Sequence, residues 1–105
     1  MTPQILIRPL ARQDLIDQFL FLSERTEETA LRFLEMVETT LEELAKLPEM
    51  GSSQKCKHPL LAGLRRWRVR DFEKHLIFYR TSGDGIEVLR FLYATRDIET
   101  VLEEG

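Results

Sequence analysis

Between Thr26 and Pro48 the chain carries its most constraining feature, a run that reads plainly as one amphipathic helix. Ala30, Phe33, Leu34, Val37, Leu41 and Leu44 recur at three- and four-residue spacing and trace a single apolar stripe. Arg32, Glu35, Glu38, Glu42 and Glu43 fall off that stripe. Thr26 offers an N-cap, and Glu27 and Glu28 stand where the positive end of the helix dipole favours them. Pro48 enforces the stop, because the residue before a proline is pushed out of the helical region. The spacing predicts a helix over residues 27–47 that must bury one face against the rest of the fold.

A second helix precedes it. Over residues 11–22, Leu15, Ile16, Phe19, Leu20 and Leu22 give the spacing of a buried stripe, and the short polar link at 23–26 folds the two helices into an antiparallel hairpin. Ahead of both, residues 4–8 read as a short β-branched strand that Pro9 ends. After Pro48 the texture changes. Residues 50–62 hold Gly51, Ser52, Ser53 and Pro59 and read as a loop. Strands are expected at 64–70, 75–80 and 86–93, the last two joined by a tight turn through Gly83 and Gly85. Residues 97–102 suit a helical turn capped by Asp97. The order β-α-α-β-β-β implies an α+β fold of two layers, a helix hairpin packed on a mainly antiparallel sheet. At 105 residues the chain is expected to form one domain spanning 1–105.

Charge is divided along the chain. Residues 1–54 hold five cations (Arg8, Arg12, Arg25, Arg32, Lys46) against ten carboxylates. Residues 55–80 hold eight (Lys55, Lys57, Arg65, Arg66, Arg68, Arg70, Lys74, Arg80) against Asp71 and Glu73 alone. Such a block suits an anionic partner, nucleic acid or an acidic protein surface; it can equally answer the acidic helices of the same molecule. Cys56 is the single cysteine, so no intramolecular disulfide can form, which fits a reducing, cytoplasmic setting. No basic segment leads into a long apolar run, and no run approaches the roughly 20 apolar residues a membrane span needs. A signal peptide and membrane insertion are therefore not expected.

Catalytic signatures are sparse. His58 and His75 lack partners at metal-ligand spacing, no glycine-rich phosphate loop occurs, and no cofactor is expected. Lys55 and Lys57 flank Cys56 and would favour its thiolate, but no base partner is visible, so it reads as a spectator. What remains is an arginine row. Alternation on a strand puts Arg66, Arg68 and Arg70 on one face, about 7 Å apart, where guanidiniums repel unless carboxylates or phosphates dock on them. Trp67, on the other side, reads as core. Arg90 interrupts an otherwise apolar strand and must either form an internal salt bridge or open onto the same groove as Arg66 and Arg68. Arg96 and Asp97 read as a structural pair, with Arg96 also a candidate contact.

Taken together, 47–51 (Leu-Pro-Glu-Met-Gly), 63–69 (Gly-Leu-Arg-Arg-Trp-Arg-Val), 77–80 (Ile-Phe-Tyr-Arg), 84–92 (Asp-Gly-Ile-Glu-Val-Leu-Arg-Phe-Leu) and 96–98 (Arg-Asp-Ile) resemble toxins of the ParE/RelE type, in order and over nearly the whole chain. The resemblance implies a toxin of a type II toxin–antitoxin system. Its antitoxin would be a ribbon-helix-helix protein that alone contacts DNA. ParE relatives are associated with inhibition of DNA gyrase, RelE relatives with cleavage of messenger RNA on the ribosome. A ribonuclease would draw on Arg66, Arg68, Arg70 and Arg96, with His75 as acid or base. Yet Leu76 stands where the RelE set has an arginine and Leu102 where it has a tyrosine, so the ParE branch fits better. There the same arginines, with Arg90, would grip antitoxin or target. Tyr93-Ala94-Thr95 departs from the usual family sequence, which leaves a degenerate module without toxicity as a third reading. Self-association as a homodimer stays open.

Overall fold

The computed structural model describes residues 3–94 and 98–104. Its elements are β1 (Ile5–Ile7), α1 (Pro9–Ser23), α2 (Glu27–Lys46), β2 (Ser52–Ser53), β3 (Arg65–Val69), β4 (Phe72–Ser82), β5 (Gly85–Tyr93) and α3 (Ile98–Glu104). Two single 3₁₀ turns, Pro48–Met50 and Pro59–Leu61, punctuate the connection from α2 to β3. The strands form one sheet in the order β1-β5-β4-β3-β2, with β1 parallel to β5 and every other pair antiparallel. The architecture is the α+β arrangement expected, helices packed on a mainly antiparallel sheet.

The helix hairpin forms as its sequence dictates. Thr26 caps α2, its hydroxyl accepting the Thr29 N–H at 3.0 Å. The buried face of α2 is Ala30, Phe33, Val37, Thr40, Leu41, Leu44 and Ala45, packed over Val69, Ile77, Tyr79, Ile86, Val88 and Phe91 of the sheet. The α1 stripe is corrected. Ala11 is buried and Leu15 and Leu22 lean on the core, but Ile16 is 45% and Leu20 54% exposed. Apolar residues ring α1 on all sides, so spacing alone could not select the face that docks. Pro9, at the first helical position where no N–H is needed, starts α1 two residues earlier than expected.

Two further departures matter. Ser52 and Ser53, expected in a loop, pair with Arg66 and Arg65 as a minimal edge strand. On the face away from the hairpin, α3 lays Ile98 and Leu102 over Leu64, Phe78 and Leu89, building a second, smaller core. Asp97, expected to cap that helix, lies outside the described residues.

Turns and one buried tyrosine set the connections. Gly83, at φ +57°, takes the left-handed position of the β4–β5 hairpin. Tyr79, fully buried, donates its hydroxyl to the Pro48 carbonyl at 2.7 Å and accepts the Gly51 N–H at 2.9 Å. That pair ties the end of α2 to the middle of β4. A side chain at Gly51 would strike the Tyr79 hydroxyl, so glycine is required there.

Candidate functional site

The arginines divide by what they touch. Arg66 lies opposite Phe78 on the ladder and Trp67 opposite Ile77. Phe78 belongs to the core under α3 and Ile77 to the core under the hairpin, so Arg66 projects on the α3 face. Arg66 and Arg68 are exposed, and among the described residues neither meets a carboxylate. Arg68 instead folds over the Trp67 ring, its guanidinium carbon 4.6 Å from the centroid, a cation–π contact that holds the charge outward. Trp67 packs against the main core, as expected, and also serves as a platform for that cation.

Arg70 does not continue the row. The ladder shifts register between Arg68 and Val69 and the strand then turns at Arg70 and Asp71, the latter at φ 67°. Alternation ends with the strand, and Arg70 goes to the hairpin side. There its guanidinium meets Glu43 at 2.9 Å and its N–H donates to the Thr40 hydroxyl at 3.1 Å. Asp71 in turn receives Arg32 of α2 at 2.6 Å. The β3–β4 turn is thereby clamped on α2.

Arg90 forms the internal pair that was one of its two options. Its guanidinium grips both Asp14 oxygens, at 2.7 and 2.9 Å, with each side chain less than 15% exposed. The cause is the shortness of β1, whose pairing with β5 ends at Ile7 and Val88. Beyond that point the edge of β5 needs partners, and α1 supplies them. Asp14 accepts the Phe91 N–H at 3.1 Å and Gln18, one turn later, donates to the Phe91 carbonyl at 2.8 Å. Sequence reading missed both. The signal was a polar pair at four-residue spacing on a helix with few other polar side chains facing inward. Arg96 lies outside the described residues.

His75 sits on the hairpin face, opposite to Arg66. It is 9% exposed, packed against Phe33 (4.7 Å between centroids), Tyr93 (5.1 Å) and Phe72 (6.0 Å), with Nδ1 3.1 Å from the Gln18 Oε1. Burial lowers its pKa. The residues a ribonuclease would use are thus divided between the two faces of the sheet, with Arg96 outside the described residues. The two positions where that chemistry calls for arginine and tyrosine, Leu76 and Leu102, are absorbed into the core under α3.

Cys56 also differs from expectation. Its thiol pKa is raised, by burial first and then by Glu103 and Glu99 of α3, so the flanking lysines do not activate it. His58 caps a 3₁₀ turn, Nδ1 accepting the Leu60 N–H at 3.2 Å. Glu87 is shared by Arg8 and Arg80, at 2.8 and 2.9 Å, and the Arg8 bond leads the causes that lower its pKa. No described helix is long and apolar enough to cross a membrane.

Residues 5–98 match the family model described as ParE toxin of type II toxin-antitoxin system, parDE. Among solved structures the chain is similar to one titled "Chromosomal ParDE TA system from P. aeruginosa", at 17% identity and a TM-score of 0.70, over 90% of this chain and 98% of that one. At that identity the likeness speaks for the fold. No curated protein matches by sequence.

Proposed function

The chain belongs to the ParE toxin family of type II toxin–antitoxin systems, and from that premise we propose that it acts by gripping a target, DNA gyrase, rather than by cutting RNA. The observation that carries this reading is the pair Arg66 and Arg68. Of the strand arginines, the fold neutralises Arg80 and Arg90 with its own carboxylates and ties Arg65 to the Glu49 and Gly51 carbonyls, yet leaves Arg66 and Arg68 with neither among the described residues. Guanidiniums held this way suit carboxylates or phosphates of a partner. The separation of His75 from them supports binding over general acid–base catalysis, which needs its groups within hydrogen-bond reach of one substrate.

The toxin would work in the cytoplasm as one domain and be neutralised by a cognate ribbon-helix-helix antitoxin, through which alone it meets DNA. Two assays test this. Supercoiling by purified gyrase falls as the protein is added and recovers with antitoxin; R66A/R68A blunts the inhibition. Codon-specific cuts in ribosome-bound message, with gyrase unaffected, would reverse the assignment.

A further inference from the structure

A recess of about 530 Å³ opens between the C-terminal half of α1 and the ends of β4 and β5, lined by Asp17, Gln18, Phe21, Arg25, His75 and Tyr93 among others. Its polarity can be deduced atom by atom. The Phe91 carbonyl can only accept, so the group that meets it at 2.8 Å is the Gln18 amide nitrogen. That fixes the Gln18 oxygen toward His75, 3.1 Å from Nδ1. An amide oxygen can only accept, so Nδ1 carries the proton. In the neutral ring Nε2 is then a bare acceptor, and burial favours that neutral form.

Nε2 has no hydrogen-bond partner among the described residues, and no fully buried side-chain polar atom of theirs lacks one. The atom is therefore not fully buried, and His75 is part of the lining of the recess. Around it stand aromatic walls, Tyr93 edge-on to His75 at 5.1 Å and Phe21 60% exposed. Next to Phe21, Leu20 carries apolar surface out over α1 at 54% exposure. Asp17 and Arg25 also line the recess, but beside its aromatic walls the acceptor is Nε2, and that pairing selects a flat ring that brings a donor. The exposed apolar surface of Leu20 and Phe21 on α1 rewards a ring attached to a longer chain.

We propose that this recess binds an aromatic ring carrying a single N–H or O–H donor, an indole or phenol, presented by a side chain of a partner polypeptide. The site lies on the hairpin side of the sheet and is separate from Arg66 and Arg68, so it does not depend on the gyrase reading. Phe21 and Tyr93 hold the ring, and His75 Nε2 receives its proton donor. Gln18 is a positioning residue that sets the tautomer.

The test uses the full chain and three probes followed by NMR: indole, 1-methylindole and the capped peptide acetyl-Gly-Trp-Gly-amide. Indole and the peptide should shift the His75 ring nitrogens and the Phe21 and Tyr93 signals. The peptide should bind more tightly than indole. 1-Methylindole, which lacks the donor and leaves Nε2 unpaired, should bind about tenfold more weakly than indole. F21A, at an exposed position, should weaken all three while leaving the fold intact. Equal binding of indole and 1-methylindole to the unaltered protein would overturn the proposal, as would shifts that map away from His75. Tighter binding of free indole than of the peptide would overturn its assignment to a polypeptide.

Discussion

Two groups of arginines in and around the sheet are treated in opposite ways. Toward the hairpin, charges are consumed by the fold: Arg70 meets Glu43, Arg32 meets Asp71, and at the β5 edge Arg90 is locked on Asp14. On the α3 face Glu87 holds Arg8 and Arg80, but Arg66 and, folded over Trp67, Arg68 are left exposed without a carboxylate among the described residues. Composition does not distinguish the two groups, since Arg66, Arg68 and Arg70 lie within five residues of one another. What separates them is the register shift after Arg68 and the turn that follows. A charge cluster in sequence is therefore two populations in space, one holding structure and one available to a partner.

The sharpest break of that contrast is at Arg90. Removing one partner of a largely buried ion pair leaves the other charge desolvated, which costs about 3 kcal/mol or more. R90A should lower the urea midpoint accordingly, and D14N/R90M should recover most of the loss, because asparagine can still accept the Phe91 N–H. A small effect of R90A would mean that the pair is ornamental and that α1 does not hold the β5 edge through it.

Tyr79 comes next. Y79F removes the acceptor for the Gly51 N–H and the donor to the Pro48 carbonyl, with the ring still filling its place. Unsatisfied buried groups of this kind cost about 1–3 kcal/mol. Equilibrium unfolding measures it, and proteolysis around Gly51 should quicken in parallel.

A pH effect follows, smaller and drawn from both faces of the sheet. The folded state lowers the His75 pKa through burial, so the unfolded chain binds that proton more readily. Stability contributed this way is complete above the unfolded value, about 6.5, and declines as pH falls below it toward the folded value. Glu87, whose pKa is also lowered, adds a further loss at lower pH, as its carboxylate is protonated away from Arg8 and Arg80. Urea denaturation at pH 7 and pH 5.5 should show the decline, and a His75→Phe variant should flatten that part of the profile. An unchanged slope in the variant would assign the decline elsewhere.

These cases also mark how far the chain could be read beforehand. Local signals carried the helix from Glu27, because Thr26 and Pro48 supply cap and stop chemistry within the segment itself. They carried the β4–β5 hairpin through Gly83 for the same reason. Arg90 was legible only as a group in need of a partner; Asp14 lies 76 positions away, and only the shortness of β1 brings it there. Arg70 was misplaced because strand alternation was extended past the register shift. The lysines beside Cys56 pointed to a favoured thiolate, when burial and then Glu103 and Glu99 of α3 raise its pKa, which leaves its reading as a spectator in place. Chemistry within one turn or hairpin was readable, and chemistry assembled across the sheet was not.

The smallest expected change in stability is also the one that most directly tests the division of the arginines. Arg66 and Arg68 are exposed and bind no carboxylate among the described residues, so R66A/R68A should shift unfolding by about 0.5 kcal/mol or less, most of it from the lost stack on Trp67. Growth inhibition on induced expression should nevertheless be lost or strongly reduced in that variant, while R70A, which breaks only an exposed pair with Glu43, should retain it. Charge, not shape, would be the cause if R66K/R68K keeps part of the activity, since lysine preserves the cation and gives up the bidentate fork. If instead R70A is as harmless to cells as R66A/R68A, the distinction between structural and available arginines fails, and with it the reason to look for the target on the α3 face.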